Sequence, residues 1–221
     1  YSSQCYSLEN NISLVAPDKS GNQIVWEPIG TEKKPFSGVF WGNGHTISGM
    51  YINQTNGDYA GLFGKVSGTG KVEHIRVEGK ITLSASSPSV THVGGVIAYW
   101  ESNTPISKLT SDVNIVTKYT SFVGGIVGVS YANIDQCFSL GEIKVIDSFG
   151  LADGGKIGGV GGIVGLIKKV SAESKPNIKN CFNKGNVSAS FLPANGGWWG
   201  NVGGIVGHSD DGDTISDCYN I

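Results

Sequence analysis

The side chains best equipped for chemistry in this 221-residue chain are four cysteines and four histidines, and their spacing withholds most of what they could do. A zinc site needs Cys-x-x-Cys or closely spaced His pairs, so that short segments bring several ligands to one ion. Cys5, Cys137, Cys181 and Cys218 stand far apart, as do His45, His74, His92 and His208. A metallopeptidase would carry His-Glu-x-x-His on a helix, whereas here Glu73 and His74 come in the wrong order. Glycoside hydrolysis asks for two carboxylates flanking a bond, and the one dense acidic group, Asp210, Asp211, Asp213 and Asp217, reads as a solvated turn. A lyase would set Arg or Lys beside carboxylates to stabilise an enolate. Arg76, the only arginine, has no recognisable partner in the sequence. Neither GxSxG nor a phosphate-binding loop nor a dinucleotide fingerprint occurs, and no helix follows the glycine pairs to hold an anion at its N-terminus. The expectation is a non-enzyme, with no catalytic residue, no metal ligand and no cofactor.

Contact is the better prospect. Trp198 and Trp199 sit in the longest insertion, where paired rings either stack on sugars or anchor a protein, or else fold back over a glycine-rich strand. Phe138, Phe182 and Tyr219 fall in one outward slot of three successive repeats, with Tyr51 and Arg76 assigned to that slot earlier. Such a ladder is either packed under loops or an interface. Asn11, Asn53 and Asn186 open N-x-Ser/Thr sequons and would be glycosylation sites in a secreted chain. The partners expected are other protein surfaces, further copies of the chain, and glycans.

These residues must be positioned by something, and the chain repeats itself. An apolar, glycine-laced phrase starts at 60 (AGLFG), 93 (VGGVIA), 123, 160 and 202 (each VGGIVG), in steps of 33, 30, 37 and 42 residues. That spacing marks a solenoid. A second phrase follows each one, as in Ile134/Cys137/Ser139/Gly141/Ile143/Val145, with alternate positions apolar or small. Period two over about nine residues is a strand pattern. The first phrase is apolar on both faces and is expected to be a strand covered on both sides. Gly125, Gly162 and Gly204 should then lie in stacked strands where a second layer comes too close for side chains. No stretch has helical periodicity. A propeller blade would need four strands per unit, more than each repeat offers. The expectation is an all-β chain, a right-handed parallel β-helix of about six coils. Cys137, Cys181 and Cys218 share one slot and should form a buried ladder of thiols rather than a disulfide, because parallel side-chain directions hold their Cβ atoms too far apart.

Thirty-four glycines against seven prolines, a formal net charge of −2 and 15% charged residues describe a globular repeat rather than a disordered tail. Clustered Lys and Arg for nucleic acid are lacking, and no apolar run reaches the roughly 18–20 residues of a membrane span. The chain begins at Tyr1, with neither initiator Met nor signal peptide, so a processed form or an excised segment is expected.

The N-terminal stretch is more distinctive. Tyr6–Leu14 alternates like a strand, and Trp26-Glu27-Pro28-Ile29-Gly30 leads into a phrase from Phe36 to Gly49 that contains Gly42-Asn43-Gly44-His45-Thr46-Ile47. The succession WxPIG, FxGxFxGNGHTISG, GLFG and repeated VGGIVG with IxNC resembles the family of bacterial surface proteins carrying the GLUG motif, over nearly the whole chain from Tyr6 to Ile221. The resemblance implies a single β-helix domain over 1–221, with divergent N-terminal coils at 1–59 and five GLUG-like repeats at 60–221. It also implies a non-catalytic stalk or adhesin-like module at the cell surface or outside it, as is found beside the catalytic region of IgA-specific metallopeptidases. His45 then reads as a turn residue. The family's acidic DIDL is Asn11-Ile12-Ser13-Leu14 here, which lowers the expectation of a bound cation. The rival is a carbohydrate-binding or carbohydrate-cleaving β-helix. Without evident caps, the terminal coils are expected to make homotypic, head-to-tail contacts leading to fibres.

Overall fold

The computed structural model describes residues 4–15, 23–55, 57–85, 91–120, 122–148, 157–169, 171, 175–191, 199–210 and 213–221. All regular structure among them is β, arranged in three parallel sheets. A broad sheet holds 14 strands, and two narrower sheets hold five each. The chain visits them in rotation. Lys71–Ser84 lies in the broad sheet, His92–Gly94 in one narrow sheet, Ile97–Ser102 in the other, and Ile106–Lys118 returns to the broad sheet beside Lys71–Ser84. Equivalent residues stack in register, so that Val93, Val123, Val160 and Val202 form one row.

The glycine phrase departs from its expected form. It is not one strand covered on both faces but two strands joined by a sharp bend. Phe122–Gly124 belongs to one narrow sheet and Val127–Ser130 to the other, with Gly125-Ile126 between them. We call the two sheets the incoming and outgoing limbs of this arch. Sheets with side chains between them pack about 10 Å apart. Here the limbs meet backbone to backbone: a Cβ on Gly124 would overlap the carbonyl of Val127 and lie 2.8 Å from the amide nitrogen of Gly165. One on Gly128 would lie 2.8 Å from the carbonyl oxygen of Val93. Gly125, Gly162 and Gly204 therefore sit at the bend and not within strands, although the close approach expected of them is present. A Cβ on Gly125 would collide with the carbonyl of Gly162 and the hydroxyl of Ser139. The interior of the broad sheet is small and polar at this level. Ser111, Ser139, Asn183 and Asn220 stack there, and Asn183 Nδ2 donates to Asn220 Oδ1 at 2.6 Å.

The broad strand owes its own irregularity to one residue per circuit. Ile134 and Cys137 are both fully buried although Cys137 lies three positions after Ile134. Strict alternation would send one of them outward. Gln136 absorbs the difference by adopting φ 54°, and His74, Lys108, Asn180 and Asp217 do so at the matching positions of the other circuits, with φ between 51° and 56°. Beyond the kink the alternation resumes: Cys137, Ser139, Ile143 and Val145 are buried, while Gln136, Phe138, Glu142 and Lys144 are exposed. The core fills the space between the sheets. Val123, Ile126 and Val127 pack with Ile134, Cys137 and Ile143, and Trp100 is its largest fully buried side chain.

The first residues are less continuous than their alternation suggests. Cys5–Ser7 pairs with Val39–Trp41, and Ile12–Ser13 pairs with Ile47–Ser48, but Leu8–Asn11 leave the ladder. Asn43 and Gly44, at φ 52° and 78°, turn the chain before His45, whose amide donates to the Gly42 carbonyl at 2.8 Å. Asn43 Nδ2 reaches back to the Leu8 carbonyl at 2.9 Å. His45 is a turn residue, as read from the sequence.

Three substitutions at two positions test this account by thermal unfolding. Gly125→Val should cost more than about 2 kcal/mol, because the added atoms meet a carbonyl that cannot move without breaking the stack. At Lys108, the left-handed conformation disfavours branched side chains and tolerates Asn. Lys108→Asn should therefore leave stability unchanged or raise it by a few tenths of a kcal/mol, while Lys108→Val should lower it by about 1–2 kcal/mol.

Candidate functional site

Two outward surfaces carry grouped side chains. On the broad sheet, Phe138 stacks above Phe182 and Phe182 above Tyr219, with Thr110 and then Arg76 continuing the row. The slot before Arg76 holds Thr46, not Tyr51, which pairs with Lys80, four positions further along the strand. Phe138 is 39% exposed and Tyr219 59%, so no described loop covers the ladder. The rings of Phe182 and Tyr219 lie 4.8 Å apart and are tilted by 43°. Each thus gives one face to its neighbour and an edge to solvent. Arg76 has the partners its sequence neighbourhood did not reveal. Its Nε donates to Glu78 at 2.6 Å and its Nη2 to Asp112 at 2.7 Å, and Asp112 lies one circuit away. At such exposure the pairs contribute less than about 1 kcal/mol each.

The second surface lies where the incoming and outgoing limbs splay apart beyond their glycine contact. Phe122, Val129 and Leu166 are buried there, with Tyr99 and Tyr131 against them. His92 is stacked between Tyr59, at 5.7 Å, and Phe122, at 5.9 Å, and meets the edge of Tyr99 at 5.0 Å. Tyr99 and Tyr131 share a hydroxyl hydrogen bond of 3.0 Å. Below them Lys65 bridges Glu32 at 3.0 Å and Glu101 at 3.1 Å, and Tyr59 donates to Glu32. Burial raises the Tyr59 and Tyr99 phenols, and their hydrogen bonds to Glu32 and Tyr131 raise them further. Glu32 is lowered by the Tyr59 hydroxyl and by Lys65. Burial holds His92 down to about 4, against the small opposing effects of the Asp58 carbonyl and nearby carboxylates. His92 is thus a neutral ring in an aromatic stack. This surface escaped sequence reading because its members are spread over five circuits. The signal for it was the residue just before each of the first three glycine phrases: Tyr59, His92 and Phe122.

The remaining sequence candidates scatter. Cys137, Cys181 and Cys218 occupy one interior row as free thiols, and Cys5 is free and exposed elsewhere. Each thiol of the row donates to the carbonyl two residues before it, at 3.4 Å for Cys137 and 3.1 Å for Cys181 and Cys218. Burial pushes the Cys137 thiol well up. Asn11, Asn53 and Asn186 are all exposed, and Asn11 Oδ1 accepts from the Thr46 amide at 2.9 Å. Trp198 and Asp211 lie outside the described residues. Trp199 is placed only by its backbone, which pairs with Ile157. Asp210 accepts from the Lys169 amide at 3.2 Å, and burial raises Asp213. Among the described residues, no group of three or more His, Cys, Asp or Glu is arranged to hold a metal ion.

No family model matches the chain, and no solved structure matches it. It is 35% identical over 85 residues to a protein of Evansella cellulosilytica whose name describes it as a Gly-rich membrane protein. The match covers 38% of this chain and 10% of that protein, so the chain corresponds to a small part of its relative. Among the described residues no helix is long and apolar enough to cross a membrane.

The His92 stack makes stability pH-dependent. An unfolded histidine takes up its proton near 6.5, and the folded ring only near 4. The stack's contribution is therefore complete above about pH 6.5 and is lost as the pH falls from there toward 4. With part of the ring in solvent, the loss is at most about 3 kcal/mol. His92→Phe keeps the stacking and removes the titration, so its melting temperature should fall less between pH 7 and pH 4.5 than that of the parent chain.

Proposed function

We propose that the chain is a non-catalytic structural and adhesive module of an extracellular or cell-surface protein: a right-handed β-helix of about six coils, of the GLUG-repeat kind, serving as a stalk or adhesin region. The observation that carries this reading is the contrast between its interior and one of its flanks. The interior is stacked in register and filled, while the broad sheet leaves Phe138 and Tyr219 uncovered in a continuous row. Isolated exposed apolar residues are ordinary, but a contiguous row of them marks a contact surface. The flatness of a parallel sheet suits a protein surface. Sugars stack on ring faces, and Phe182 and Tyr219 already pack against one another, tilted by 43°. The partners proposed are other protein surfaces, further copies of the chain and, through Asn11, Asn53 and Asn186, attached glycans.

One further observation supports the reading. The partial relative is named for a membrane, which accords with a surface location. End-to-end growth into fibres, by the same strand pairing that builds the stack, is part of the proposal.

The test is adhesion. Beads coated with the chain should be retained on surfaces bearing immobilised proteins or the chain itself. The triple variant Phe138→Ser, Phe182→Ser, Tyr219→Ser should lose most of that retention while melting within a few degrees of the parent. Unchanged retention by the variant would remove the ladder from the proposal. Release of unsaturated or shortened products from a polysaccharide panel would replace it with the carbohydrate-cleaving reading.

A further inference from the structure

At the end of the stack where the first circuits begin, the chain makes a detour. Ile29 bridges to Phe63 and Phe36 to Val66, so these two residues continue the outgoing limb. Between them residues 31–35 loop away, closed by the Thr31 amide donating to the Lys34 carbonyl at 3.0 Å and the Lys34 amide donating to Thr31 Oγ1 at 3.2 Å. Under this loop lies a cavity of about 790 Å³, within the size range of small-molecule sites. Tyr6 and Phe40 line it, Phe36 and Phe63 back them from the core at 4% and 0% exposure, and Lys33 and Lys34 stand beside them. The wall is rigid: Phe36 is 6.2 Å from Tyr6 and 5.2 Å from Phe63, and Phe40 meets Phe63 edge-on at 5.3 Å.

The charges are what make the cavity specific. The neighbouring Glu32 is already held by Lys65 and Tyr59. Lys33 and Lys34 are exposed, and neither takes part in an ion pair among the described residues. An aromatic cavity with two uncompensated cations at its rim suits one chemistry above others, an aliphatic chain ending in an anion. The apolar wall gains from burying hydrocarbon, and a carboxylate adds to the ammonium hydrogen bonds a charge attraction that a neutral or cationic guest lacks.

We propose that this cavity binds an amphipathic monoanion of the fatty-acid class, its chain lying against Tyr6 and Phe40, which Phe36 and Phe63 support from behind, and its carboxylate between Lys33 and Lys34. The site goes beyond the stalk reading and stands or falls separately from it. The probe is laurate, titrated calorimetrically into the chain below its micelle concentration. The expected result is saturable one-to-one binding with a Kd below about 100 µM. The double variant Lys33→Gln, Lys34→Gln alters only exposed side chains, so it should melt like the parent and bind about tenfold more weakly. Ser67→Trp, at the cavity wall, should abolish binding by filling the space, while adhesion of coated beads stays unchanged. Absence of saturable binding to the parent chain would overturn the proposal. Equal binding by the parent and both variants would overturn it as well, since laurate would then be held elsewhere on the surface.

Discussion

The glycine contact between the incoming and outgoing limbs is the constraint on which the molecule depends. Two sheets can meet this closely without an intervening layer only where side chains are absent or no larger than a methyl, and VGGIVG supplies that in three circuits and VGGVIA, with Ala98, in a fourth. The bend this permits brings Val123, Ile126 and Val127 to one side of the arch, where they face the broad sheet. It also brings Ser139 and Asn183 against the glycines at the bend, where a larger neighbour would collide. The small polar row inside the broad sheet is therefore the complement of the glycines and not a separate feature. With the arch fixed, the width of the core and the path of the broad strand follow.

The same closeness governs the exterior. Limbs that touch at their glycines must diverge beyond them, and the opening has to be filled. Phe122, Val129 and Leu166 fill it from three strands, and His92 does so at the cost of its usual basicity. Among the described residues the broad sheet has no such partner on its outer face. There, exposed charges pair along the stack, as Arg76 does with Asp112, and aromatic rings lean on one another. One flank of the solenoid is thus closed by aromatic packing, and the other presents its aromatic row to solvent.

Much of this was legible in the sequence, because periodicity reports which side chains point inward. The alternation from Cys137 to Val145 and the shared slot of the three cysteines are where the pattern placed them. The glycine phrase was legible as a repeat but not as an arch. Six apolar residues satisfy a straight strand and a bent one equally well, and only the collision awaiting a Cβ distinguishes them. Contacts between circuits were hidden for a simpler reason. Arg76 and Asp112 lie 36 residues apart, and Lys65 and Glu32 lie 33 apart, beyond the reach of any local pattern. Tyr51 was misplaced because alternation tells which face a residue takes but not its partner along the strand, and it lies opposite Lys80, four positions from Arg76.

The row of left-handed residues at His74, Lys108, Gln136, Asn180 and Asp217 has a consequence for fidelity. A solenoid of near-identical coils is open to mistakes in which one coil settles on its neighbour a residue out of step, since strand pairing alone rewards any offset. A kink that recurs once per circuit makes such an offset visible to the chain. In a slipped coil, the pucker would press against a straight stretch of the neighbour, and hydrogen bonds would fail on both sides of it. Buried Ile and Cys would also exchange places with outward residues. The kinks act as notches on a ruler, and they let a repetitive chain count.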